Sequence, residues 1–122
     1  MRPYERFVAW RECHELALKV YRETSCFPKH ELYGLTSQAR RAAFSAAANI
    51  VEGCAKRGPV EFRRYLDIAI GSLAELGYII RFAADLQFLP AEVAADLEQH
   101  QARARFLTWK LCLALGKARS NH

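Results

Sequence analysis

Apolar residues recur along this chain at three- and four-residue steps in four successive segments. No segment alternates apolar and polar positions as a strand would, and no Asn-Gly or Asp-Gly hairpin signal is present. The first segment carries Phe7, Trp10, His14, Ala17 and Tyr21, and the second Leu35, Ala39, Ala42, Ala46, Asn49 and Gly53. The third carries Phe62, Leu66, Ala69, Leu73, Leu76, Ile80 and Ala83. The fourth carries Val93, Leu97, His100, Ala104, Leu107, Leu111 and Ala114. A mean step of about 3.5 is the seam of bundle helices crossing at about 20°. The spacing predicts helices over about 5–26, 35–56, 59–87 and 90–118, within one domain spanning 1–122.

The breaks between segments support the same reading. Phe27-Pro28 ends the first helix, because a residue before proline is pushed out of the α region. Gly34, with Thr36 and Ser37 as candidate caps, opens the second. Gly58-Pro59 and Pro90 restart the chain where the missing proline N–H does no harm. The later links are short and force antiparallel neighbours, so the expected fold is an all-α, up-down-up-down antiparallel four-helix bundle.

The second segment is unusual. From Ala42 to Val51 only Ser45 and Asn49 are polar, and most of the rest is alanine. An ordinary surface helix is charged on one side. A helix apolar nearly all round must be enclosed on more than one side, which predicts self-association.

Composition narrows the function classes. At 52% apolar and 25% charged residues the chain is globular rather than disordered. The amino terminus lacks the apolar stretch of a signal peptide. No run reaches the roughly 18 apolar residues needed to cross a bilayer, so a cytoplasmic protein without a membrane partner is expected. Cys13, Cys26, Cys54 and Cys112 never form a CxxC pair and read as reduced packing residues.

Net charge is +5, and its placement matters more than its sum. Lys56, Arg57, Arg63 and Arg64 cluster around Gly58-Pro59, and Arg103, Arg105, Lys110, Lys117 and Arg119 follow the last acid, Glu98. The second run also suits a helix carboxyl end. Both runs otherwise suit a phosphate-binding surface.

Catalytic and metal signatures are weak. Di-iron bundles use Glu-x-x-His, but Arg11, Phe27, Leu97 and Arg119 precede His14, His30, His100 and His122 at that spacing. No metal site and no cofactor is therefore expected, and His14 and His100 read as hydrogen-bonded core histidines. Gly53 and Gly58 lack the spacing of a phosphate loop. Gly71 reads as a point of close approach to the alanine-rich helix. Gln38, Arg41, Ser45, Asn49 and Glu52 form one polar stripe, and Glu75 sits on the third helix between Ser72 and Ile79 on a second apolar seam. Arg41 is a candidate ion-pair partner for Glu52 or Glu75. The stripe reads as a structural network, as a subunit interface, or as the lining of a channel or ligand site.

A resemblance joins these features. Phe27-Pro28, the run Glu31 to Gln38, Ser45, Asn49 to Gly53 and Gly71 to Leu76 resemble the bacterial four-helix bundle family of ribosomal RNA intervening-sequence proteins. Trp10, Tyr21, Phe62, Tyr65 and Leu66 fit it as well, and the match covers about residues 5–90. The chain departs from the family pattern at Ala47, usually proline, and at Ile70, usually basic. The resemblance implies a ring-like homo-oligomer, a pentamer. It also implies kinship with the accessory protein of diversity-generating retroelements, which binds nucleic acid and a reverse transcriptase. The resulting expectation is a non-catalytic ring that binds RNA or DNA backbone through Lys56, Arg57, Arg63, Arg64, Arg103, Arg105 and Lys110. The alternative is a protein-interaction scaffold, for which Tyr4, Phe44, Tyr78 and Trp109 are the candidate contacts.

Overall fold

In the computed structural model, which describes the backbone of residues 1–120 and the side chains of residues 1–117, the periodic segments are all helical. Helix α1 spans Val8–Glu23, α2 Leu35–Cys54, α3 Gly58–Asp85 and α4 Ala91–Ser120, and no strand occurs among the described residues. Short 3₁₀ turns at Pro3–Arg6, Thr24–Cys26 and Lys29–Glu31 precede α1 and fill the first connection. None of the described helices is long and apolar enough to cross a membrane.

Local chemistry sets the helix ends. At the end of α1 the Thr24 hydroxyl donates to the Val20 carbonyl at 2.6 Å. The start of α2 corrects the expected Thr36 and Ser37 caps. The Leu35 N–H donates to Glu31 Oε1 at 3.0 Å, so a carboxylate from the preceding turn satisfies a free donor. Gly58 adopts φ +82° at the head of α3, a conformation that favours glycine. The end of α3 is a Schellman turn, with Phe88 N–H on the Ala83 carbonyl and Gln87 N–H on that of Ala84, both at 2.9 Å.

Helix α1 packs on α2 and α4, and α3 packs on the same two, so the helices form a square in chain order. Ser45 meets Ser72, Gln101 meets Leu73, and Lys19 meets Asp96. At a second level Gly53 approaches Tyr65, Gly116 approaches Arg63 and Glu12 meets Arg103. The pairs α2–α3, α3–α4 and α1–α4 therefore each run antiparallel, and α1–α2 with them. Every residue of the predicted α3 seam is buried, and Leu16, Ile50, Leu66, Leu73 and Leu76 are fully so. Burying each such side chain contributes about 1.5–3 kcal/mol.

The seams of α1 and α4 differ from expectation. Helix α1 buries Ala9, Cys13, Leu16, Ala17 and Val20, whereas Tyr21 and His14 are exposed. Small residues let α1 approach its neighbours, and the aromatic rings stay on the flank. His14 stacks on Trp10 at 4.9 Å, and Trp10 meets Tyr4 at 4.8 Å. In α4 the buried positions include Ala94, Leu97, Ala104, Thr108 and Cys112, with Ala114 exposed. Thr108 is buried because its hydroxyl donates to the Ala104 carbonyl at 2.8 Å and lies 3.7 Å from Cys13 Sγ.

Two other expectations change. Gly71 is exposed, and a Cβ there would meet nothing within 4 Å. The close approach is at Gly53, where a Cβ would stand 2.7 Å from Tyr65 Cβ and 2.9 Å from the Phe62 ring. Cys13 and Cys112 are buried and Cys54 partly so, but Cys26 is exposed. Burial pushes the Cys13 thiol up to about 11, against the opposing effect of its hydrogen bond with Thr108.

Candidate functional site

The turn between α2 and α3 gathers cations from separate parts of the chain. Lys56 and Arg57 are exposed in it, and Arg63 and Arg64 follow in the opening turns of α3. Lys56 Nζ lies 5.6 Å from the centre of the Tyr65 ring, and Arg64 Nη1 donates to Glu61 Oε1 at 3.3 Å. Arg63 crosses to α4, where a Cβ on Gly116 would stand 3.3 Å from its guanidinium carbon. Its Nε is buried without a hydrogen-bond partner, so this side chain is partly withdrawn from solvent. Lys117 is exposed on the adjoining turn of α4.

The amino terminus joins the same end of the bundle. Arg2, Pro3 and Tyr4 border a cleft with Val51, Cys54 and Ala55. The Arg6 guanidinium sits 4.9 Å over the Phe7 ring, and Phe7 meets Phe62 at 5.5 Å. Sequence spacing does not single out Arg2 and Arg6. Their charge is visible there, but only the topology brings Arg2 to the cleft beside Cys54 and Ala55.

Helix electrostatics distinguish these cations. Lys56 and Arg57 follow the carboxyl end of α2, where positive charge is favoured. Arg63 and Arg64 lie in the second turn of α3, beyond the first turn to which the opposing dipole reaches. The free N–H groups at the amino end of α3 add positive potential, a combination suited to an anion.

The second basic run does not form one patch. Arg103 faces α1, its Nε 3.1 Å from Glu12 Oε1. Arg105 faces α3 and borders a groove of about 260 Å³ with Ile70, Ala102, Phe106 and Trp109. Lys110 Nζ lies 5.6 Å from the centre of the Phe106 ring. The Arg119 side chain and His122 lie outside the described residues.

The polar stripe lines an open groove of about 590 Å³ between α2 and α3, bordered by Gln38, Arg41, Ser45, Asn49, Glu52, Ser72 and Glu75. Ser45 and Ser72 share a hydrogen bond of 2.9 Å across the helices. Asn49 donates to the Ser45 carbonyl at 2.8 Å and to its hydroxyl at 3.0 Å. Arg41, Glu52 and Glu75 are exposed. No ion pair joins Arg41 to either acid among the described residues. The expected pairing is corrected for a physical reason: charges left in water need no partner.

A further polar cluster lies on the opposite side, between α1 and α4. Glu12, Glu15, Lys19, Asp96, Gln99, His100 and Arg103 line it. His100 is not the hydrogen-bonded core residue expected, because neither ring nitrogen has a hydrogen-bond partner although both are buried. Burial and then Lys19 push its pKa down, against Glu12, Glu15 and Asp96. One oxygen of Glu12, one of Glu15 and one nitrogen of His100 lie within 4.8 Å of one another. These are the residues with which the chain could hold a metal ion.

Fold and surface together define a basic, all-α four-helix protein with an open polar groove on one face. The chain belongs to the 23S rRNA-intervening sequence protein family, whose model matches residues 5–107. Among solved structures it is similar to a protein of unknown function from the S23 ribosomal protein family of Bacteroides thetaiotaomicron VPI-5482. The two are 18% identical, with a TM-score of 0.77 over 86% of this chain and 98% of that one. At that identity the likeness shows the fold alone. A comparison with curated proteins finds no match.

Proposed function

We propose that this chain is a non-catalytic cytoplasmic bundle that assembles with copies of itself into a ring and holds RNA or DNA by the backbone. The observation that carries the reading is the cationic end. Arg2, Arg6, Lys56, Arg57, Arg64 and Lys117 come to that end from three stretches of sequence, around the amino end of α3. Contacts of this kind position a protein on phosphates without reading bases, so weak sequence preference is expected.

Assembly is supported by two unlike apolar faces. Phe44, Tyr78 and Phe82 are exposed on α2 and α3, and Phe106, Trp109 and Leu113 are exposed on α4. A contact between unlike faces repeats around an axis, and it closes as a ring where the rotation per copy divides a full turn. Five copies is the ring size implied by the family resemblance. The charged end would then recur around one rim, multiplying a net charge of +5 per chain.

Binding to labelled single-stranded RNA and duplex DNA across a salt series tests the reading. Each neutralised phosphate steepens the fall of log affinity with log salt by about 0.7–0.9. Replacing Lys56, Arg57 and Arg64 with alanine should therefore flatten the slope by about 2–3. Arg63 is kept, because its guanidinium packs on α4 and its loss would mix binding with folding. An unchanged slope in this variant would place the interface elsewhere.

A second reading, a protein-interaction scaffold, is favoured by the aromatics. Phe44 is 63% exposed, Tyr78 67% and Trp109 49%, and aromatic residues are enriched where partners dock. A reverse transcriptase is the partner type that the resemblance implies. Flat, feeble nucleic-acid binding together with a defined protein retained after nuclease treatment would favour this reading.

A further inference from the structure

We propose that Glu12, Glu15 and His100 form a site for a divalent transition-metal ion of the zinc class, tying α1 to α4. Glu12 and Glu15 are three residues apart and so share one face of α1. His100 comes from the facing turn of α4, and its Nε2 stands 3.6 Å from Glu12 Oε1. An ion about 2.0–2.2 Å from each ligand atom spans neighbouring donors roughly 3–3.5 Å apart. The three donors already lie within 4.8 Å of one another, so small side-chain rotations complete the set.

The imidazole is the observation that separates this cluster from an ordinary acidic surface. The His100 side chain is only 9% exposed, and both of its nitrogens are buried without a hydrogen-bond partner. Buried polar atoms are normally satisfied, because leaving them unpaired costs stability. A coordinated ion would supply a partner for one of the two nitrogens. Donor chemistry then selects the ion. Calcium and magnesium favour all-oxygen ligand sets, whereas an imidazole with carboxylates suits zinc and its first-row neighbours. Three protein donors leave a fourth position for water.

The surrounding charges fit this assignment. Lys19 is held by Asp96 at 3.1 Å. Arg103 engages Oε1 of Glu12 at 3.1 Å, and a carboxylate has a second oxygen to offer. Arg103 thus orients a ligand, the office that outer-shell groups perform at metal sites.

The test is calorimetric titration of the full chain, stripped with a chelator, with Zn²⁺ alone. All variants carry Cys26→Ser, which removes the exposed thiol as a competing ligand. The parent should bind one Zn²⁺ per chain, and His14→Gln, which alters an exposed histidine on α1, should bind it equally. Loss of an outer-shell partner alone weakens metal binding about 10–100-fold, so Glu15→Gln and His100→Gln should each weaken it at least about tenfold. Zn²⁺ should also raise the thermal midpoint of the parent and of His14→Gln, and raise that of His100→Gln by less at the same Zn²⁺ concentration. Glu15 is exposed, so Glu15→Gln remains a fair test where His100→Gln impairs folding. A parent that takes up no Zn²⁺, or a Glu15→Gln variant that binds it like the parent, would overturn the assignment.

Discussion

Gln87 closes α3 with φ 63°, in the left-handed region where a side chain is strained. The Schellman turn needs that conformation, because it brings the Phe88 N–H back to the Ala83 carbonyl. Phe88 then lies 5.6 Å from Phe27, joining the α3–α4 turn to the first connection. Glycine adopts this backbone without a steric penalty. Gln87→Gly should therefore stabilise the chain by about 0.5–1 kcal/mol, read as a higher urea midpoint with an unchanged slope. A lower midpoint would mean that the glutamine side chain contributes more than its backbone costs. Thiol chemistry follows burial at the same scale. Cys26 is exposed, with its Sγ 2.9 Å from the Glu23 carbonyl. Cys13 is buried, with its thiol pushed up to about 11.

Among the helices, α2 and α3 meet through a size difference: alanines on one, leucines and aromatics on the other. Gly53 is the tightest point, and Gly71 only resembles one in sequence. Gly53→Ala places a methyl group 2.7 Å from Tyr65 Cβ and 3.3 Å from the Phe62 carbonyl oxygen, and should cost about 1–3 kcal/mol. Gly71→Ala meets nothing and should gain about 0.5–1 kcal/mol from helix propensity. Denaturant unfolding of both variants checks the pair, and equal effects would contradict the packing described. The contrast also marks what is legible in the sequence. The α3 seam is readable because large aliphatic residues hold it at a constant step. In α1 the aromatic and histidine residues mark one face while Ala9, Cys13 and Leu16 bury another. The Glu12, Glu15 and His100 cluster is invisible to any search of single helices, since its members come from opposite ends of the chain. The basic run of α4 reads as one patch only because linear spacing hides the turn between Arg103 and Arg105.

For the molecule as a whole, the proposed ring makes its own prediction. Phe44 and Trp109 are exposed in the single chain, so charging either should leave the bundle intact while separating the copies. Phe44→Glu and Trp109→Glu should each sediment as smaller species than the parent, with unchanged helical circular dichroism. Variants that sediment like the parent would remove both faces from the assembly. The alanine packing of α2 has a wider consequence. Ala39, Ala42, Ala43 and Ala46 are all buried, and each is the smallest side chain that still carries a Cβ. Enlarging any of them forces helices apart, and removing the methyl group adds backbone freedom in the unfolded chain. On α3, by contrast, Leu66, Leu73 and Leu76 can shrink and leave a cavity without pushing a neighbour. The two faces of one interface thus differ in how they accept random substitution. In a saturation screen for folding, α2 should admit almost no alternatives at these positions, whereas α3 should admit a graded series of other apolar side chains.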